Sequence, residues 1–201
     1  MRCLVLDTDA LTHGSGLGLL PAIEIVIASL PHKAYIARPV YKECTQTGIA
    51  HHLDGWQEKG LLHEPVDYRK LRGGDERFRE IFRRYRGALS RADCASFVTA
   101  ESNGPSGILT CENLLSEAAE RFGILALDLF DVIRYAVKLG YLTDVAAKAR
   151  CEVWDRDKFR AGRPNGYKGT YTEEFEFREK SKPIPDLASA KADPPRMPGH
   201  S

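Results

Sequence analysis

Residues 107–143 read GILTCENLLSEAAERFGILALDLFDVIRYAVKLGYLT. GILT (107–110) is a short apolar run of the kind a buried strand makes. ENLLSEAAERFG then carries apolar residues at helical spacing and closes on Gly123, a helix stop. ILALD (124–128) is a second buried strand, and LFDVIRYAVKLGYLT a second helix closed by Gly140. Strand, helix, strand, helix with short joints predicts βαβ units and a parallel sheet.

Working outward, residues 2–6 predict a first strand that runs into Asp7 and Asp9. LGLLPAIEIVIASL (17–30) predicts one helix with Pro21 in its first turn. The glycines of GSGLG (14–18) begin seven residues after the strand and lack dinucleotide-fingerprint spacing. They predict a flexible loop at the mouth of a site. AYIA (34–37) predicts a short strand, and Pro39 opens one or two helices. LLHEPVD (61–67) predicts an edge strand. A basic helix follows, broken at Gly73-Gly74, then a helix of small residues, ADCASFVTAES, ended by Asn103-Gly104-Pro105. TDVAAKARCEVW predicts a helix capped by Thr143. The expected fold is a three-layer α/β/α unit with a mostly parallel central sheet over residues 1–150. A basic and aromatic C-terminal extension (151–180) and a disordered tail rich in Pro, Ser and Ala (181–201) complete the expectation.

The chain of 201 residues has a formal net charge of +1, so a signal for nucleic acid must be local. No apolar run approaches the roughly 20 residues of a membrane span, and MRCLVLD lacks the long apolar core of a signal peptide. A cytoplasmic location and no membrane partner are the expectation. Five cysteines without a CxxC pair predict reduced, mostly buried thiols.

In a parallel sheet the strand ends and the helix starts that follow them share one edge. That brings Asp7, Glu43 in RPVYKEC, Asp93 in LSRADCASFVTA, Glu112 after GILT, and Asp128 toward one place. Each has a plainer role as a helix cap, a dipole partner or a solvated residue. Two carboxylates about 5 Å apart repel by roughly 3 kcal/mol at an effective dielectric of 20. A hard divalent cation, Mg²⁺ or Mn²⁺, relieves that repulsion with oxygen ligands.

Taken in order, LVLDTDAL, RPVYKEC, LSRADCASFVTA and GILTCEN with the closing βα unit resemble the motifs of the PIN-domain (PilT N-terminal-like) nucleases, over roughly residues 1–145. The resemblance implies a metal-dependent endoribonuclease of toxin or RNA-processing type. Asp7, Glu43, Asp93 and Glu112 would be its catalytic and metal-holding acids, and Thr110 would orient a ligand. It also implies RNA as substrate and, for toxin-type members, an antitoxin-like protein inhibitor. In the fourth motif, where the family commonly has Thr, then Asp or Asn, then Asp, this chain has Thr110, Cys111 and Glu112.

Two rival readings stand beside it. Asp7-Thr8-Asp9 resembles the first motif of haloacid-dehalogenase-type phosphatases, with Asp7 as nucleophile, Asp9 as general acid, and Asp128 and Asp131 as the last motif. That chemistry needs a Lys before the final acids, and residues 110–128 contain none. The other reading is a PIN-like binding or assembly module with a weakened site.

Residues 68–91 hold nine basic residues against three acids, a local net of +6. Arg83, Arg84 and Arg86 in this run are the candidate phosphate contacts, since a guanidinium fork matches phosphate oxygens. A solvated helix face or a groove for an acidic protein explains the run equally well. The second basic segment, 156–168, could extend an RNA path, dock a second copy of the chain as a homodimer, or pack on its own domain.

Overall fold

The computed structural model describes residues 3–104, 106–156, 169–181 and 183–184. Its centre is a four-stranded, all-parallel sheet of order β2-β1-β3-β4. The strands are β1 (Cys3–Leu6), β2 (Tyr35–Ile36), β3 (Ser106–Leu109) and β4 (Leu125–Leu127). Ten α-helices flank it among the described residues, consistent with the three-layer α/β/α fold. Their chain order is α1 (Thr8–Gly16), α2 (Leu20–Ala28), α3 (Arg38–Gln46), α4 (Ala50–Glu58), α5 (Gly74–Arg84), α6 (Arg91–Ser102), α7 (Asn113–Arg121), α8 (Leu129–Lys138), α9 (Asp144–Arg156) and α10 (Tyr171–Ser181).

Every residue of β1 and β3 is buried, which is why both read as unbroken apolar or small runs. α2 and α8 pack on each other and close over Leu4, Leu109 and Leu127. α6 packs against β1, β2 and β3 and carries α3, α5 and α7 against it. Its residues Cys94–Ala100 are all buried, and apart from Phe97 and Val98 they are small, which lets one helix sit within a layer of others. The expected edge strand at 61–67 is reduced to two isolated parallel bridges, Ala34–Leu62 and Ala37–Val66, outside β2.

The Gly-rich loop is a correction. Gly14, Ser15 and Gly16 are the last turn of α1, and the single helix expected over 17–30 is α2, beginning at Leu20 with Pro21 in its first turn. A Cβ on Gly14 would stand 2.8 Å from Ile23 Cδ1, so this glycine permits close approach of α1 and α2. Thr143 caps α9 as expected, its hydroxyl accepting from Ala146 N at 3.1 Å.

The boundary expected at 150 falls inside α9. The chain then returns as α10, which packs on α9. Asp155 caps its start, accepting from Tyr171 N at 2.6 Å and Thr172 N at 3.0 Å. The Tyr171 ring lies between Trp154 and Phe130. The remainder of the basic segment, 157–168, and most of the expected tail, 185–201, lie outside the described residues. No helix among the described residues is long and apolar enough to cross a membrane.

Candidate active site

β1 delivers Asp7 to the carboxyl edge of the sheet. Its backbone N donates to Leu109 O at 3.1 Å, continuing the ladder with β3 one step past the strands, and so sets Asp7 beside Thr110. Asp7 precedes α1 in extended geometry, yet its side chain makes no capping bond to that helix. The carboxylate instead accepts from Thr110 Oγ1 at 3.0 Å on one oxygen and from Ser96 Oγ at 3.2 Å on the other. It is 1% exposed. Burial, and then the charge of Asp93, push its pKa up to about 7 against the two hydroxyl donors, with Asp9 adding to the rise.

Asp93 stands in the first turn of α6. It forms a capping box with Ser90, accepting from Ser90 N at 2.7 Å while Ser90 Oγ accepts from Asp93 N at 3.0 Å. Burial raises its pKa, and Asp9 contributes in the same direction. Asp7, Asp9 and Asp93 are thus one electrostatic group. In the sequence only the phosphatase-like motif points to Asp9, and no motif points to Ser96. Ser96 follows Asp93 by three positions, a helical spacing that does place both on one side of α6.

The other acids sit further out. Glu43 on α3 is half-buried and accepts from Thr8 Oγ1 at 2.6 Å. Glu112 is the N-cap of α7, its carboxylate accepting from Leu114 N at 3.4 Å. Thr110 is fully buried. Its hydroxyl donates to Asp7 and accepts from Glu112 N at 3.0 Å, so it orients the carboxylate and has no surface to offer a ligand. The Cys111 thiol, raised first by burial and then by Asp128, stays protonated.

Among the described residues no three His, Cys, Asp or Glu side chains are gathered closely enough to hold a metal ion. Local hydrogen bonds account for this: Glu43 turns to Thr8, Asp93 to Ser90 and Glu112 to the start of α7. The donors themselves are all carboxylate oxygens, the chemistry Mg²⁺ and Mn²⁺ prefer.

The fifth expected acid belongs elsewhere. Asp128 and Asp131 form the capping box of α8, and Asp128 is held by Arg178 of α10. Arg178 also lies 3.6 Å from Asp131 and pairs with Glu174, while Arg134 binds Glu179 at 2.9 Å. The last motif of the phosphatase reading is therefore tied up in a buried ion network.

Arg83, Arg84 and Arg86 are all exposed, around the C-terminal end of α5. Arg84 lies over the Phe122 ring at 5.1 Å, and Arg86 adopts a left-handed φ of 50° just after the helix. Within the same run Arg69 pairs with Asp67, Arg77 with Glu80 and Glu101, and Arg79 with Asp75. None of Arg83, Arg84 and Arg86 pairs with an acid among the described residues, so they are available to an anion, as are the exposed Lys70, Arg72 and Arg91 of the same run. Phe78 is buried and stacks on Phe82, which leaves Phe82 38% exposed.

No protein-family model matches this chain, and no curated protein matches it.

Proposed function

We propose that the chain is a divalent-metal-dependent endonuclease, most directly an endoribonuclease, with its site at the carboxyl edge of the sheet around Asp7. One contrast supports this reading above the others. At the β4 end of that edge, Asp128 and Asp131 have the guanidinium of Arg178 as counter-charge. At the β1 end, burial and then the charges of Asp93 and Asp9 raise the pKa of Asp7, burial and then Asp9 raise that of Asp93, and among the described residues no Lys or Arg pairs with any of the three. A protein that neutralises one acid cluster and leaves the adjoining one bare has a place for an external cation.

Asp7, Asp93 and Glu43 would hold Mg²⁺ or Mn²⁺, with Glu112 beside them. When bound, such a cation supplies Lewis acidity toward a phosphodiester and acidifies water. Thr110 and Ser96 fix the plane of the Asp7 carboxylate, so its orientation costs nothing when a cation arrives. Asp93, Glu43 and Glu112 must exchange local hydrogen bonds for the cation. Arg83, Arg84 and Arg86 would carry the phosphates of an RNA strand toward the start of α6, where Asp93 stands. The family resemblance of the four acidic motifs is in keeping with this reading.

The lack of a ready group of three acids favours a second reading, a PIN-like binding module without turnover. Incubation of the purified chain with labelled RNA and DNA in Mn²⁺, Mg²⁺ or EDTA separates the two. The nuclease reading expects RNA cleavage that EDTA stops and that Asp7→Asn and Asp93→Asn abolish. Cleavage indifferent to EDTA removes the metal. RNA binding without cleavage in any metal selects the module.

A further inference from the structure

The amino edge of the sheet, opposite Asp7, carries a second set of chemically able side chains. Cys3 at the start of β1, Tyr35 at the start of β2, and His32, Lys33, His63 and Asn103 line a cavity of about 430 Å³. That volume falls within the range of small-molecule sites, roughly 300–1,000 Å³. Its walls are fixed by backbone: Ala34 N donates to Leu61 O at 2.8 Å, and His63 N to Ala34 O at 2.9 Å. These bonds lock the segment bearing His63 beside the one bearing Lys33 and Tyr35. The Tyr35 and His63 rings lie 4.2 Å apart at 33° and form an aromatic wall.

Two features define what the cavity suits. Its lining contains Lys33 and two imidazoles and no acid. Among the described residues the side chains of His32, Lys33 and Tyr35 and the ring nitrogens of His63 make no hydrogen bond or ion pair. Burial and then the charge of Lys33 lower the His63 pKa, which places the ammonium and this imidazole near each other. Burial pushes the Cys3 thiol up to about 12, so the floor is a neutral thiol rather than an anion that would repel a ligand.

We propose that this cavity binds a mononucleotide-sized ligand, a phosphate joined to a flat ring through a sugar. Lys33, His32 and His63 offer separately placed N–H donors and a positive charge, which suit the three terminal oxygens of a phosphate better than the two of a carboxylate. The Tyr35–His63 wall offers ring faces for stacking. α6 ends at Asn103 in the same wall, and the negative end of its dipole opposes an anion. The ligand's charge therefore lies against Lys33. This site stands on the other edge of the sheet from Asp7 and does not depend on the nuclease reading.

The test is an NMR titration of the His32 and His63 ring signals of the full chain with AMP, adenosine, inorganic phosphate and benzoate. AMP is expected to shift both rings with saturation. Adenosine, phosphate and benzoate should each bind about tenfold or more weakly. Lys33→Ala should weaken AMP about tenfold, Lys33→Arg should restore much of the loss, and Asp7→Asn should leave AMP binding unchanged. Lys33 is exposed, so neither variant threatens the fold. Absence of saturable shifts with AMP, equal binding of adenosine or benzoate, or an undiminished response in Lys33→Ala overturns the proposal.

Discussion

Arg178 of α10 grips both carboxylate oxygens of Asp128, fifty residues earlier, with Nη1 and Nη2 each 2.8 Å from an oxygen. Asp128 also accepts from Phe130 N and Asp131 N at the start of α8. One carboxylate therefore caps a helix of the sheet unit and anchors the C-terminal helix. Arg178→Ala leaves that carboxylate buried without its partner, and the expected loss of unfolding free energy is about 3–5 kcal/mol. Urea denaturation measures it. Arg178→Met combined with Asp128→Asn and Glu174→Gln removes the guanidinium together with the two buried carboxylates it pairs with most closely and keeps a capping side chain, and it should recover at least half of the loss. A loss below about 1 kcal/mol in Arg178→Ala would mean that apolar contacts of α10 alone hold it.

Asp7 predicts a stability that falls as pH rises. Its folded pKa of about 7 lies above the ordinary 3.8, so between those values the folded chain holds a proton that the unfolded chain has released. Below 3.8 the difference vanishes, and it reaches its full size above 7, on the order of 4 kcal/mol. Asp7→Asn removes the penalty. The variant should gain on the native chain steadily from about pH 4 to 7 in urea denaturation, and the gap should then stay level. Mn²⁺ at pH 8 should raise the Tm of the native chain and not that of Asp7→Asn. Parallel pH profiles for the two chains would show that Asp7 is not the titrating group.

The parts of the fold visible in the sequence are those whose causes are local. GILT and ILALD read as strands because short continuous apolar runs suit a parallel sheet, and both contain strands, β3 buried throughout and β4 fully buried only at Leu127. α1 was hidden because THGSG has the composition of a loop; it is helical because Gly14 lets α2 approach. The acids at the strand ends were visible from topology, and their division into a bare and a neutralised cluster was not. That division depends on Arg178, in a segment with no pattern linking it to Asp128. Glu112 offered a local clue in the helix start it precedes, and the cap it forms is that clue realised.

Arg83, Arg84 and Arg86 are exposed and unpaired with acids among the described residues, so replacing all three with Ala should change stability little. The contact of Arg84 over Phe122 accounts for a loss of about 0.5–1 kcal/mol. If the three bind phosphate on a single strand, the slope of log affinity for RNA against log salt should flatten by about 2. Fluorescence anisotropy across a salt series gives that slope. An unchanged slope assigns the arginines to a protein partner or to solvent.

Glu112 is where two roles compete for one side chain. Its carboxylate accepts from Leu114 N, and its backbone N donates to the hydroxyl that also holds Asp7. As a cap alone, Glu112→Gln keeps an acceptor oxygen, and stability should stay within about 0.5 kcal/mol. As a fourth metal acid, the same change removes a negative ligand, so Mn²⁺ affinity and cleavage should both fall while stability does not. Glu112→Asp brings in a stronger capping residue and the residue type of the resembling motif. It should therefore gain stability and keep or improve cleavage. Cys111→Ser should alter neither, because the thiol is protonated and soft, a poor match for Mg²⁺. Thermal melts and cleavage rates on the three variants decide the matter. Silent cleavage in Glu112→Gln with a severe loss in Cys111→Ser would move the fourth ligand to Cys111 and the metal toward a thiophilic ion.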